Sequence, residues 1–181
     1  MSNFIIDPYK IIPTPATYTL LWENTVESSL DDNQSEIYYA NEFDTNTAVI
    51  GEAITKITIK LKKVGSPSAT VRGALWLSAT NLGDNPSVLS NETYPEDGEI
   101  GTGLTELTFT FTNETDTLQG YKAGFIFSGA GDGSNHYQYS RNGSSAVDGT
   151  FGVKAKDLVS PAWLTPSGGT TCLTMGVYKS P

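Results

Sequence analysis

Apolar and polar residues alternate along most of this chain. In "ITIKLK", Ile57, Ile59 and Leu61 fall on one side, with Thr58, Lys60 and Lys62 on the other. "VRGALWL" sets Val71, Leu75 and Leu77 against Arg72 and Trp76, and "LTFTFT" sets Leu107, Phe109 and Phe111 against threonines. "YKAGFIF" opposes Tyr121, Ala123, Phe125 and Phe127 to Lys122 and Ile126, and "CLTMGVY" aligns Leu173, Met175 and Val177. A period of two places successive side chains on opposite faces, so each run predicts a half-buried antiparallel strand. Gly-, Pro- and Asn-rich turns separate the runs, among them "GSPS", "GDNPS", "PEDGEIGTG" and "PSGG". Asn142-Gly143, between "HYQYS" and "SSAVDG", predicts a two-residue hairpin. Helical periodicity is absent; "KDLVSPAWL" has room for one short turn, which Pro161 stops. The pattern predicts an all-β sandwich or barrel of roughly eight strands.

Ahead of these strands lies a segment of another kind, "NFIIDPYKIIPTPATYTLLW". Phe4, Ile5, Ile6, Tyr9, Ile11 and Ile12 are costly to leave in water, while Pro8, Pro13 and Pro15 disfavour helix and favour extended chain. The predicted organisation is an extended N-terminal arm over residues 1–22 and one sandwich over residues 23–181. Such an arm can lie along its own sandwich, or add to a neighbour's sheet and cover its edge.

Charge narrows the partners. The chain of 181 residues carries 20 acidic and 11 basic side chains, a formal charge of -9, which repels phosphate backbones and anionic lipid. Neither nucleic acid nor a membrane is an expected partner. Lys60, Lys62 and Lys63 read as the solvated face of one strand. The single cysteine, Cys172, excludes an intrachain disulfide and reads as a small buried side chain. The opening residues lack the basic start and unbroken apolar stretch of a cleaved leader, so the expectation is synthesis in the cytoplasm without a signal peptide. Asn-x-Ser/Thr triplets at Asn33, Asn91, Asn113 and Asn142 read as loop chemistry rather than sugar sites.

Candidate chemistry is thin. His136 is the only histidine, no serine occupies a G-x-S-x-G elbow, and a loop histidine beside tyrosines reads as a surface residue. The carboxylates Asp31, Asp32, Glu36, Glu42, Asp97, Asp132, Asp148 and Asp157 are scattered, and nothing selects the facing pair that a glycosidase needs. No catalytic residue is assigned, and the chain reads as a non-enzyme. Calcium is the one cofactor with candidate ligands: the hard oxygens of Asp31 and Asp32 in "LDDNQSE", and of Asp132 and Asn135 in "SGAGDGSN". Trp76, Tyr137, Tyr139 and Trp163 are candidates for stacking against sugar rings, with core packing as their alternative use.

The order of segments resembles a family. "YYANEFDTNTAVIGEAITKITIKLKKVGSPSATVRGALW", then "GDNPSVLSNETY", "LTELTFTFTNETDTLQGYKAGFIFSG" and "PAWLTPSGGTTCLTMGVY", resemble a jelly-roll module of the carbohydrate-binding-like type. Such modules occur in bacterial surface proteins and in structural proteins of tailed viruses. The likeness covers about residues 37–178, and "FIIDPYK" is similar to the apolar start of such virion proteins. The resemblance implies an antiparallel jelly-roll β-sandwich. With the arm, it leads to the expectation of a virion surface or decoration subunit, or an extracellular filament subunit. Its partners would be copies of itself or other structural proteins of the assembly. A carbohydrate-binding module using surface aromatics is the alternative.

Overall fold

The computed structural model describes residues 17–34, 37–43, 47–76, 86–112, 122–142, 150–156 and 171–180, the stretch 151–156 by its backbone alone. Among these residues there is no helix, and eleven strands form two antiparallel sheets. In chain order they begin with β1 (Thr19–Asn24), β2 (Ser29–Asp32), β3 (Tyr38–Phe43) and β4 (Lys56–Val64). Next come β5 (Val71–Trp76), β6 (Val88–Leu89), β7 (Thr105–Thr110) and β8 (Lys122–Phe127). The last are β9 (His136–Arg141), β10 (Thr150–Lys156) and β11 (Met175–Lys179).

The first sheet is organised around β4. One edge of β4 pairs with β7 along Lys56–Leu61, and the other pairs first with β11 and then with β9. β1 lies outside β11 and β2 outside β9, so these two strands end the sheet on that side. The second sheet runs β10-β3-β8-β5-β6. Alternation predicted the inner rows of both sheets correctly: Ile57, Ile59, Leu61, Phe109, Phe125, Phe127 and Val177 are all buried in one shared core. Aromatic rings join the two sheets. Tyr39 lies 4.5 Å from Tyr139, Phe127 stacks on Tyr137 at 5.3 Å, and Trp22 meets Phe43 edge-on at 5.3 Å. Gly73 makes room for this packing, because a Cβ there would sit 2.7 Å from Phe109 Cγ.

Four expectations need correction. The strand count rises from about eight to eleven: β2 and β6 are short pieces with no long alternation, and β1 forms from the end of the segment read as an arm. The arm boundary moves, since Thr19–Trp22 pair with β11 and belong to the sheet. The hairpin expected across Asn142-Gly143 would run through residues 143–149, which lie outside the described residues. Asn142 itself is buried, and its side-chain oxygen accepts the Cys172 N–H at 2.6 Å. His136 is also buried, with Nδ1 donating to the Asp132 carbonyl at 2.9 Å.

Candidate functional site

The calcium candidates do not converge. Asp31 pairs with Arg141 at 3.2 Å, and the Asp32 carboxylate accepts hydrogen bonds from Gln34. Asp132 Oδ1 accepts main-chain N–H groups of Ser134 and Asn135 at 2.7 and 2.8 Å, and Asn135 Oδ1 accepts that of Ser66 at 2.9 Å. No group of three or more His, Cys, Asp or Glu side chains able to hold a metal ion exists among the described residues. Of the other candidate acids that are described, Glu42 faces Lys122 at 3.5 Å and Asp97 accepts the Thr93 N–H at 2.7 Å.

Nor do the aromatics form a platform. Tyr137 and Tyr139 are buried in the core, against Phe127 and Tyr39 respectively. Trp76 does lie on the opposite face from Leu75, as expected, but is buried there with Ala40 and Ala74 and meets Tyr38 edge-on. A ring enclosed by protein on its faces cannot stack on a sugar, so these three residues pack instead. Trp163 and the arm residues Phe4, Ile5, Ile6, Pro8, Tyr9, Ile11 and Ile12 lie outside the described residues.

Two surface features stand out. The first is the edge made by β1, the connecting residues and β2. Among the described residues the exposed large apolar side chains are Leu20, Val26, Leu30 and Leu104, at 44, 53, 42 and 36% exposure. Three of these four fall between Leu20 and Leu30, on one edge of one sheet; isolated surface apolar residues are ordinary, a row of them is less so. Their display is fixed by the backbone around them. Asn24 Nδ2 donates to the Leu173 carbonyl, Asn24 Oδ1 accepts the Val26 N–H, and Thr174 Oγ1 donates to the Val26 carbonyl at 2.8 Å. Glu27 reaches over to Lys60, and that bond raises the Lys60 pKa above its ordinary value. Leu30, Leu104 and Ser140 all line a hollow of about 240 Å³.

On the opposite side of the sandwich, the segment after β6 caps the Thr108–Thr110 end of β7. Ser90 and Asn91 lead from β6 to β7: Ser90 N–H donates to the Gly73 carbonyl in one sheet, and Asn91 N–H to the Thr110 carbonyl in the other, both at 2.9 Å. Glu92 then accepts the Thr110 N–H and hydroxyl, and Tyr94 donates to the Thr108 carbonyl. A strand edge blocked in this way is closed to a further strand.

The second feature is a polar groove between residues 65–69 and 129–135. Two hollows, of about 250 and 260 Å³, share Ser66 and Pro67 in their walls. Asp132 and Asn135 line the first, and Lys63, Glu99, Ile100 and Tyr137 the second. The walls are stitched by main-chain bonds: Gly131 N–H to the Asn33 carbonyl, Asp132 N–H to the Asn135 carbonyl, and Ser128 N–H to the Thr70 carbonyl. Gly65, at φ +66°, permits the close approach, since a Cβ there would overlap the Ser134 carbonyl. The N–H donors from Ser134 and Asn135 hold the Asp132 carboxyl below its ordinary pKa, so it is ionised at neutral pH. Burial pushes the Tyr137 phenol up, and its hydroxyl donates to the Ala69 carbonyl at 2.8 Å.

Buried asparagines hold both features, and two of them, Asn33 and Asn142, read in the sequence as loop residues. Asn33 accepts the Tyr137 N–H and donates to Gly129, while Asn24, Asn41 and Asn142 all grip Cys172–Leu173. The one signal for them was that polar residue type recurring at the ends of apolar runs. No family model, curated protein or solved structure matches this chain.

Proposed function

We propose that this protein is a non-enzymatic structural subunit, of a virion surface or an extracellular filament, that assembles with copies of itself or with other proteins of that assembly. In this reading the sandwich is a jelly roll acting as a rigid block. The N-terminal arm and the edge that follows it form the contact. The observation that carries the proposal is the asymmetry of the two sides: one is closed by Glu92 and Tyr94, and the other displays Leu20, Val26 and Leu30. The apolar run Phe4–Ile12 stands directly ahead of that edge in the chain. A standard interface buries about 1,600 Å² in total, and an extended arm added along a sheet edge supplies main-chain hydrogen bonds as well as apolar area. The experiment is deletion of residues 2–16, with the mass of the assembly followed by light scattering. The deletion is expected to reduce the assembly to smaller species while the sandwich stays folded. Unchanged assembly would refute the role of the arm.

A further inference from the structure

We propose that the hollow lined by Leu30 and Leu104 receives the apolar N-terminal arm of a second copy of this chain. The inference rests on the assembly reading above and adds three things to it: the segment that enters, the surface that accepts it, and their origin in different subunits.

Leu104 is the exposed apolar residue that the edge from Leu20 to Leu30 does not explain. It stands just before β7, whereas Leu30 belongs to β2, so the fold brings them to one hollow from separate strands. That hollow, about 240 Å³, exceeds the roughly 150 Å³ cavity that holds a benzene ring, so one large apolar side chain fits it. Ser28, Ser29 and Ser140 add short side chains to its wall. Glu27, the charged residue of the lining, is already paired with Lys60, so an apolar occupant strands no charge.

Charge selects the occupant. Asp7 and Lys10 cancel within the first 16 residues, so residues 17–181 carry the whole formal charge of -9. Two such bodies repel each other face to face, while a neutral arm approaches without that cost. The arm also brings the apolar side chains, with Phe4, Ile5, Ile6, Ile11 and Ile12 all in one run.

The root of the arm decides between its own hollow and a neighbour's. The Lys56 ammonium lies over two rings, 4.4 Å from the centre of Tyr18 and 4.0 Å from that of Tyr178. These cation–π contacts tie the chain to β4 and β11 just before β1 begins. β1 and β2 both run in the direction of β4, because one antiparallel strand separates each of them from it. The arm therefore leaves at the Lys56 end of β4. Leu30 pairs with Ser140, and the preceding Tyr139 pairs with Leu61, so Leu30 lies about 17 Å further along the strand direction. To fill its own hollow the arm must double back just ahead of Tyr18. Pro13 and Pro15 oppose that, since a proline restricts both itself and the residue before it to extended conformations. An arm that continues outward leaves its own sandwich, and the dozen residues from Ala16 back to Phe4 reach about 40 Å when extended.

The test is cross-linking of the full chain carrying Ile6→Cys and Leu104→Cys. Light- and heavy-nitrogen forms are mixed in equal amounts at dilution, concentrated, and treated with a bismaleimide. The introduced thiols react, while the native Cys172 is buried. Mass spectrometry should find residue 6 linked to residue 104 in peptides that join one light and one heavy chain. In a second measurement, Leu104→Glu changes an exposed side chain. It should raise the concentration at half-assembly about tenfold or more and leave the melting temperature unchanged. Links within single chains only, an assembled sample without links, or assembly insensitive to Leu104→Glu would each overturn the inference while leaving the subunit reading in place. A parent chain that stays monomeric at every concentration would remove both together.

Discussion

The Glu92 carboxylate holds Thr110 at two points, accepting its main-chain N–H and its hydroxyl, each at 2.6 Å. This carboxylate turns the last residue of β7 from an available edge into a closed one. Removing it leaves a strand-edge N–H with no acceptor from this chain. Glu92→Ala should lower unfolding free energy by about 1.5–3 kcal/mol, the usual range for a hydrogen bond to a charged group. It should also give larger species in light scattering, since an uncapped edge templates further strands. Denaturant unfolding and scattering on the same sample check both effects.

Gly65 carries a second prediction. Its φ of +66° is unfavourable for a residue with a side chain, and an added Cβ would overlap a main-chain oxygen that cannot move independently of its loop. Gly65→Ala should cost about 2 kcal/mol or more in thermal unfolding. The amide signal of Ser66 should shift as the bond it donates to Asn135 Oδ1 lengthens.

Tyr139 separates packing from recognition. Its ring touches Tyr39 at 4.5 Å and Phe125 at 5.6 Å. Tyr139→Ala should therefore lose about 3–5 kcal/mol of stability, as large aromatic truncations in cores do. If the variant melts like the parent protein, the core assignment of this ring is wrong.

Acid should loosen the groove. The folded-state pKa of Asp132 lies below the ordinary 3.8, because charged Asp132 accepts two main-chain N–H bonds. Its contribution is thus fully present above the unfolded-state value and is lost as pH falls below it, through the folded-state value. Amide signals of Ser134 and Asn135 should move together over that acidic range. In Asp132→Asn the movement should disappear.

The inner faces were legible because period two is a direct consequence of strand geometry: Ile57, Ile59, Leu61 and Phe109 needed no other information. Residues such as Trp76 were harder. Alternation places Trp76 on the outer face correctly, but burial of that face depends on what packs there, and no local pattern records it. The asparagines were misread for a related reason. Asn142 beside Gly143 has the composition of a turn, and only its distant partner Cys172 makes it a clamp. Glu92 and Asn33 also act across long sequence separations, so the sealed edge and the stitched groove emerged only with the fold.

The account rests most on the edge from Leu20 to Leu30 as a contact between subunits. The most direct measurement is the mass of the full chain by size-exclusion chromatography with light scattering, compared with that of Leu20→Lys/Leu30→Lys. Both side chains are exposed, so the double variant should fold and melt like the parent protein. The account predicts an assembly for the parent chain and a shift toward monomer for the variant. A variant that folds normally and assembles to the same mass as the parent would contradict it.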